Sequence, residues 1–221
     1  MHLLIVRHGE TVWNVERRIQ GWGNSDLTDR GKRQARQLRD RLRSRSLAAV
    51  YSSDLSRAVD TAEIIAAPHH LAVNQLRELR ETSWGDWEGK TAFEINAAHP
   101  ELWAKFRNRG REMSENDDSD DWDTTTVVPN GETLSAASAR ISYALNLLHN
   151  EHRGEDDLVL VVGHGGSLRF FVTLALGLPP RGVRRFHLDN ASLTHIAFSA
   201  SHSPVLRQMN DTGHHLSECE S

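Results

Sequence analysis

The chain contains little cysteine, no long hydrophobic run and no large excess of one charge. Its single cysteine among 221 residues is Cys219, so no disulfide can form within the chain, and a reducing, cytoplasmic location is expected. No stretch approaches the ~20 apolar residues that cross a bilayer. The apolar run at residues 3–6 is far shorter than the core of a secretory signal. These absences predict a cytoplasmic protein without a membrane partner.

The charge balance excludes a general attraction to nucleic acid. The chain has 26 basic and 30 acidic residues and a formal net charge of -4, so any anion site must be a local concentration of positive charge. A hydrophobic content of 38% with 25% charged residues is ordinary for a globular protein. The length suits one sizeable domain, and we expect a single domain over residues 1–221.

Apolar runs alternate with segments of helical periodicity. Strands are predicted at residues 3–6, 47–51, 158–162 and 192–198. One helix is predicted after Thr28, with apolar positions at residues 35, 38 and 42; a second runs to about Ala67; and a third follows residues 163–166 and runs to Gly177. Thr28 is a candidate cap for the first helix, and residues 52–54 supply candidate caps for the second. This alternation predicts an α/β fold, a three-layer sandwich in which helices flank a mostly parallel central sheet.

The middle of the chain and its end have a different character. Residues 93–113 have helical periodicity, and residues 115–123 form an acidic run that can bury little. We expect an insertion at about residues 90–130 that forms a cap or lid, with a solvated loop of no special role as an equal alternative for the acidic run. The last twenty residues are polar and are expected to be peripheral.

Basic and imidazole side chains stand where predicted strands end. Arg7 and His8 follow the first strand, Arg57 falls just after the second, and His164 follows the third. Parallel strands present their carboxyl ends at one edge of a sheet, where open α/β folds bind ligands. Two imidazoles, two guanidiniums and the adjacent helix N-termini would suit a phosphate dianion, because arginine matches its oxygens bidentately.

An ordered set of motifs resembles the histidine phosphatase superfamily, the phosphoglycerate mutase-like family. The segments that carry the resemblance are Leu-Ile-Val-Arg-His-Gly-Glu-Thr at 4–11, Trp13-Asn14, Leu27-Thr28-x-x-Gly31, Tyr51-Ser52-Ser53-x-x-x-Arg57-Ala58-x-x-Thr61-Ala62, Gly85-x-Trp87-Glu88-Gly89 and Gly163-His164-Gly165-Gly166. They run in the family's order from residue 3 to about 195. A lone Arg-His-Gly would be weak evidence, whereas the ordered set is specific.

The resemblance implies a phosphoglycerate mutase-like fold and a catalytic role for His8. His8 would attack phosphorus through an unprotonated ring nitrogen and form a phosphohistidine. Arg7, Arg57 and His164 would contact the three non-bridging oxygens and stabilise charge during transfer. Further phosphate contacts implied by the family pattern come from Asn14, Gln20 and the backbone of Gly21 and Gly165.

A carboxyl group is needed to protonate the leaving alkoxide and then to activate water. Glu81 stands four residues before the glycine of Gly-x-Trp-Glu-Gly, a position that resembles the family's acid/base. Glu78, Asp86 and Glu88 are rivals, and charge proximity alone does not separate them. The match to the motif favours Glu81.

The resemblance leaves three functions open: a phosphomonoester phosphatase, a cofactor-dependent phosphoglycerate mutase that returns the phosphoryl group to another hydroxyl, and a non-catalytic phospho-ligand-binding relative. Residues 21–28 and 165–169 have features of mutases. Residues 79–91 resemble the broad-specificity, α-ribazole and phosphoserine phosphatase branches and lack the Asn-Glu-Arg-x-Tyr-Gly pattern of the mutases. We therefore expect a phosphatase.

The implied enzyme is a metal-independent phosphoric monoester hydrolase. The other histidines match no tight ligand pattern, so no metal site is indicated, and no cofactor is expected. The expected partner is a small-molecule phosphate ester, with no nucleic acid and no membrane. The sequence leaves the particular ester and the oligomeric state open, with a homodimer as one option.

Overall fold

The protein is described by a computed structural model covering residues 1–108, 128–179, 183, 185–199 and 201–218. Its strands are β1 (His2–Arg7), β2 (Ala49–Ser52), β3 (Val73–Gln75), β4 (Leu158–Gly163), β5 (Leu193–Ser199) and β6 (His202–Asp211). Its α-helices are α1 (Val12–Val15), α2 (Asp29–Leu42), α3 (Ser56–Ala66), α4 (Ala92–Ala98), α5 (Pro100–Asn108), α6 (Leu134–Glu151) and α7 (Gly165–Ala175).

Within the described residues the strands form one six-stranded sheet in the order β3-β2-β4-β1-β5-β6. β1, β2, β3 and β4 run parallel to one another, whereas β5 and β6 form an antiparallel edge. The predicted mostly parallel α/β sheet is thus confirmed. The order places β4 between β1 and β2, so the carboxyl ends of these three strands are neighbours.

The central strands are buried on both faces, as their unbroken apolar runs predict. Leu3 and Ile5 of β1 face one hydrophobic cluster, which includes the buried side of α6 and α7. Leu4 and Val6 face the other cluster, with residues of α2 and α3. Full burial of such a side chain contributes about 1.5–3 kcal/mol. The alternation along β1 therefore joins both helical layers to one sheet.

The three predicted helices are present, but the capping residues predicted for one of them are wrong. The Thr28 side chain accepts a hydrogen bond from Gly31 N and caps α2, and α7 begins directly after His164. The caps predicted at residues 52–54 are wrong, because the N-cap of α3 is Leu55, which makes no side-chain capping bond. Ser52 instead ends β2, and the Ser53 hydroxyl contacts His164.

The middle and the tail also depart from the expectations. The helix predicted over residues 93–113 is interrupted at His99, before Pro100, where α4 ends and α5 begins; the acidic run at 115–123 lies outside the described residues. The last twenty residues are not simply peripheral, because β6 pairs with β5 and completes the sheet. The strands β3 and β6 and the helix α6 are elements that the sequence patterns did not reveal.

Candidate active site

Backbone hydrogen bonds extend the parallel pairing past the ends of β1 and β2. His8 N donates to Gly163 O over 2.9 Å, and Ser53 N donates to Val162 O over 3.0 Å. Arg57 lies in the first turn of α3, which follows β2 after a short connection. The structure therefore brings the segments that carry Arg7, His8, Arg57 and His164 to one edge of the sheet.

His8 is buried with a defined tautomer. Its Nδ1 lies 2.7 Å from Gly9 O, and because a carbonyl oxygen only accepts, Nδ1 carries the proton and Nε2 holds the lone pair. Burial lowers the pKa of His8 well below its usual value, and the nearby charges of Arg57 and Arg7 lower it further. The ring is thus a neutral imidazole, able to act as a nucleophile through Nε2.

Arg57 is fully buried and held by the loop that follows α1. Its Nη1 donates to Gly23 O over 2.8 Å and its Nη2 donates to Gly21 O over 2.7 Å. Burial lowers the pKa of Arg57 to about 10, so the guanidinium is still charged at neutral pH. Its Nε is buried and has no hydrogen-bond partner among the described residues.

Arg7 is anchored from the other side of the site. Its Nη1 donates to Leu188 O over 2.7 Å, while its buried Nε has no partner among the described residues. Burial lowers the pKa of Arg7. A Cβ at Gly165 would lie only 3.3 Å from this Nε, so the glycine that opens α7 allows the guanidinium to approach the helix closely.

His164 is the N-cap of α7 and is completely buried. Its Nε2 lies 2.8 Å from the Ser53 hydroxyl oxygen, and its Nδ1 has no partner in the part of the chain that the structure describes. Burial lowers the pKa of His164 well below its usual value, as does the neighbouring charge of Arg57. The second imidazole of the site is therefore also neutral.

The buried atoms Arg7 Nε, Arg57 Nε and His164 Nδ1 all lack a hydrogen-bond partner among the described residues. Leaving a buried polar group unsatisfied costs about 1–3 kcal/mol. Two of these atoms belong to cations, and the third becomes a donor when Ser53 donates to the other ring nitrogen. The arrangement suits an oxyanion that accepts several hydrogen bonds at once.

The resemblance also implies phosphate contacts from Asn14, Gln20, Gly21 and Gly165, and these four residues have different local environments. Asn14 Oδ1 accepts from Thr11 N over 3.1 Å. The Oε1 of Gln20 is buried without a partner among the described residues. Gly21 has a φ of +54° and contacts Arg57 through its carbonyl oxygen, and Gly165 forms the first turn of α7.

Glu81 lies against the N-terminus of α7. Its Oε2 accepts from Gly166 N over 2.7 Å and its Oε1 accepts from Ser167 N over 2.9 Å. A helix N-terminus favours a carboxylate because its backbone N–H groups lack partners within the helix. Glu81 also influences the charges of Arg7 and Arg57 electrostatically. The carboxylate therefore belongs to the same cluster as the four basic groups.

The rival carboxylates have other hydrogen-bond partners. Glu88 Oε1 accepts from Trp22 N and Trp84 N, each over 2.9 Å. Asp86 Oδ1 accepts from Asn130 Nδ2 over 3.0 Å. Glu78 contributes its main-chain oxygen to Arg140. These contacts organise loops, whereas Glu81 alone of the four candidates contacts α7 through its carboxylate.

Arg140 supports Glu81 from α6, a role that sequence reasoning missed together with the helix itself. Its guanidinium forms a two-pronged ion pair with Glu132, with distances of 2.9 and 2.7 Å. It also donates to Arg80 O over 2.7 Å and to Glu81 O over 3.2 Å. Trp22 Nε1 donates to the same Glu81 oxygen over 2.7 Å. The main chain at residue 81 is thereby fixed from two sides.

Aromatic side chains of residues 84–87 and of α5 form a small core of their own. Trp87 is completely buried, and its ring contacts Trp103 and Phe106 at centroid distances of 5.6 and 5.0 Å. Trp84 contacts Phe106 edge to face. These rings pack α5 against residues 84–87, so packing accounts for the position of Trp87.

No group of three or more His, Cys, Asp or Glu side chains among the described residues is arranged to hold a metal ion. None of the described helices has the length and apolar character needed to cross a membrane.

Comparison with known proteins identifies the family. The model of the histidine phosphatase superfamily (branch 1) matches residues 3–212, nearly the whole chain. The chain therefore belongs to the histidine phosphatase superfamily, as the motifs predict.

Individual relatives carry both mutase and phosphatase names. The chain is 34% identical over 218 residues to a Yersinia enterocolitica protein called "Probable phosphoglycerate mutase GpmB", covering 97% of this chain and 94% of that protein. The α-ribazole phosphatase of Shigella flexneri has a similar structure, with a TM-score of 0.84 and 28% identity over 96% of this chain and 97% of that one. A mycobacterial glucosyl-3-phosphoglycerate phosphatase in complex with VO3 gives a TM-score of 0.78 and 31% identity, covering 95% and 98%.

Proposed function

We propose that the protein is a phosphomonoester hydrolase that acts on a small phosphorylated metabolite through a phosphohistidine on His8. The observation that carries this proposal is the state of the His8 ring. Its Nδ1 proton is held by Gly9 O, and its pKa is lowered by burial. The lone pair on Nε2 is therefore available at neutral pH, among groups that would attract a phosphate.

The first chemical step transfers the phosphoryl group. His8 Nε2 attacks phosphorus, an N–P bond forms, and the bond between phosphorus and the ester oxygen breaks. The ester oxygen leaves with the bonding electrons and takes a proton from the Glu81 carboxyl group, which gives the free alcohol. Glu81 is assigned this role because its carboxyl group lies at the start of α7, the helix that His164 caps.

The second step regenerates the enzyme. A water molecule attacks phosphorus while the Glu81 carboxylate accepts its proton, and the N–P bond breaks with its electrons returning to His8. Inorganic phosphate leaves, and Glu81 is again protonated for the next cycle. One carboxyl group thus serves first as acid and then as base.

The remaining groups would bind the transferring phosphoryl group. Arg7, Arg57 and His164 each offer a buried nitrogen without a partner among the described residues, and their contacts with the non-bridging oxygens would stabilise negative charge during transfer. We propose additional contacts from Asn14, Gln20 and the backbone of Gly21 and Gly165. No step in this scheme uses a metal ion or an organic cofactor.

Hydrolysis is favoured over the mutase reaction by two observations. The neighbours with TM-scores of 0.84 and 0.78 are named phosphatases, and the segment that carries Glu81 lacks the mutase pattern. The mutase alternative is supported by the name of the Yersinia relative. The non-catalytic alternative gains no support from the site, because each proposed role is filled by a competent side chain.

A panel of phosphate esters separates these alternatives. The panel contains p-nitrophenyl phosphate, 3-phosphoglycerate, phosphoserine and α-ribazole phosphate, each assayed with and without 2,3-bisphosphoglycerate. We expect hydrolysis without the bisphosphate. Net isomerisation of 3-phosphoglycerate that depends on the bisphosphate would support the mutase instead, and no turnover of any ester would support the binding protein.

The organisation of the chain is part of the same proposal. We propose one histidine phosphatase domain over residues 1–221, with a cap-like insertion at about 90–130 that contributes to the choice of ester. Of this insertion the structure describes residues 90–108, which include α4 and α5, and residues 128–130. A cytoplasmic location, which the lone Cys219 favours, belongs to the proposal as well.

A further inference from the structure

The loop that precedes β5 makes hydrogen bonds to the backbone of Arg7, which ends β1, and of His8, which follows it. Ala191 N donates to Arg7 O over 2.9 Å and lies 3.2 Å from His8 O. Leu188 O accepts from the Arg7 guanidinium. In the same loop, Asn190 Nδ2 donates to His8 O over 3.0 Å and to Asn14 Oδ1 over 3.2 Å. Asn190 thus connects two residues to which the proposed reaction gives roles.

Both amide groups have a determined orientation. His8 O can only accept, so the Asn190 atom that contacts it is the nitrogen. Thr11 N can only donate, so the Asn14 atom that it contacts over 3.1 Å is the oxygen. That oxygen also accepts from the Thr11 hydroxyl over 3.0 Å. Because Thr11 and Asn190 hold Oδ1, they also fix the direction of the Asn14 Nδ2 group, the other branch of the same planar amide.

The loop is itself anchored to the edge of the sheet. Asn210, in β6, accepts from Asp189 N over 2.7 Å and donates to Asp189 Oδ2 over 2.9 Å. The neighbouring Asn190 is therefore presented to the site by a fixed piece of backbone. The hydrogen bonds between Asp189 and Asn210 thus link the antiparallel strands, which carry none of the predicted site residues, to the loop that contacts the end of β1.

We propose that Asn190 is a positioning residue, which orients the Asn14 amide so that its Nδ2 donates to the phosphoryl group and which fixes the backbone of His8. The inference rests on the proposed function for the role of Asn14. Asn190 does not touch the substrate in this scheme, so its effect passes through Asn14 and His8. Losing it would remove one of the three donors that hold Asn14 Oδ1, so the amide would be less firmly oriented toward an anion.

A double-mutant cycle tests this proposal, with p-nitrophenyl phosphate as substrate. We expect N190A to lower kcat/KM about tenfold, since it removes two hydrogen bonds of ordinary strength. In an N14A background the same substitution should cost about threefold or less, because the Asn14 amide is no longer there to orient. An equal loss in both backgrounds, or full activity of N190A, would overturn the inference.

Two further variants separate positioning from loss of the fold. N190D keeps the shape of the side chain but places a carboxylate oxygen against the acceptors His8 O and Asn14 Oδ1. We therefore expect a loss of activity at least as large as in N190A, in a protein that is still folded at the assay temperature. Activity of N190D equal to wild type would contradict the proposal. N74A is the matched control, because Asn74 donates to Val50 O in the sheet, outside the site, and full activity is expected.

The role of Asn190 can still be tested if the protein proves not to be a hydrolase. If the wild-type protein hydrolyses no ester, the hydrolase proposal is wrong, and the affinity for orthovanadate is measured in the same four-member cycle by calorimetry. A tenfold weaker binding in N190A that shrinks in the N14A background would then sustain the positioning role. Equal binding by wild type and N190A would reject it. If the wild-type protein hydrolyses esters and N190A is equally active, the positioning role of Asn190 is rejected while the hydrolase proposal stands.

Discussion

The imidazole rings of His8 and His164 lie 5.2 Å apart between centroids, and both are buried. The pKa of each is lowered first by burial and then by the charge of Arg57. Two neutral rings between two guanidiniums give a site whose positive charge comes from the arginines. Protonating either ring would add charge where no carboxylate of the site contacts it directly.

This relationship predicts a loss of stability in mild acid. The folded-state pKa of both histidines lies below the unfolded value of about 6.5, so the unfolded chain binds more protons as the pH falls through that value. Their contribution to stability is full above about pH 6.5 and declines below it. The free energy of unfolding, measured by urea titration from pH 8 to pH 5, should fall by up to about 1.4 kcal/mol per pH unit for each histidine.

The comparison with H8N isolates one of these two groups. That variant should lose less stability than wild type over the same pH interval, since it removes one of the titrating rings. An identical pH dependence in wild type and H8N would show that His8 does not contribute, contrary to its lowered pKa.

Replacement of His8 should abolish turnover without destroying the fold. H8A removes the proposed nucleophile but leaves Arg7, Arg57 and His164, so we expect no hydrolysis of p-nitrophenyl phosphate and no acid-labile phosphate on the chain. Orthovanadate should still bind, as measured by calorimetry. The matched control is H2A, because His2 lies at the other end of β1 and contacts His195. Full activity of H8A, or its loss in H2A to the same degree, would contradict the mechanism.

The role of Glu81 predicts a dependence on the leaving group. E81Q cannot supply a proton, so kcat for alkyl esters such as phosphoserine should fall by roughly 10²–10⁴. The rate with p-nitrophenyl phosphate should fall much less in the phosphorylation step, because that phenolate leaves without a proton. Rapid-quench measurement of the first turnover separates this step from the later attack of water. E78Q is the control on the same segment, and an equal loss on both esters would assign the proton to another group.

Metal removal should leave the reaction intact. Since His8 is the proposed nucleophile and two arginines supply the positive charge, none of the proposed steps requires a divalent ion. Dialysis against excess EDTA should change kcat for p-nitrophenyl phosphate by less than about twofold, a loss that would correspond to about 0.4 kcal/mol in the barrier. Inactivation by EDTA with recovery on adding one metal would refute this part of the proposal.

The sequence predicted the part of the site that depends on strand ends. Parallel strands bring their carboxyl ends together, so the spacing of Arg7, His8 and His164 from apolar runs was enough to expect one cluster. It could not predict Asn190 or Arg140, because their contacts join loops and helices that are far apart in the chain. The edge strands β3 and β6 could not be predicted either, because they are short or half exposed and an exposed edge strand has a weak hydrophobic pattern.

The contact between Gly166 and Glu81 gives the last prediction. A Cβ at residue 166 would lie 2.3 Å from Glu81 Oε1, and the end of a flexible side chain will move rather than the helix. Alanine in a helix is up to about 1 kcal/mol more favourable than glycine, whereas displacing Glu81 removes its hydrogen bonds from Gly166 N and Ser167 N. These effects on stability oppose each other, so G166A should stay folded at the assay temperature while kcat for phosphoserine falls at least tenfold. The matched control is G154A, whose Cβ would lie 2.6 Å from an Asp157 carboxylate oxygen outside the site, and whose kcat should equal that of wild type. If G166A keeps full activity, catalysis does not require the Glu81 carboxylate to lie at the start of α7. If its activity falls in parallel with its stability, the substitution has instead damaged the helix.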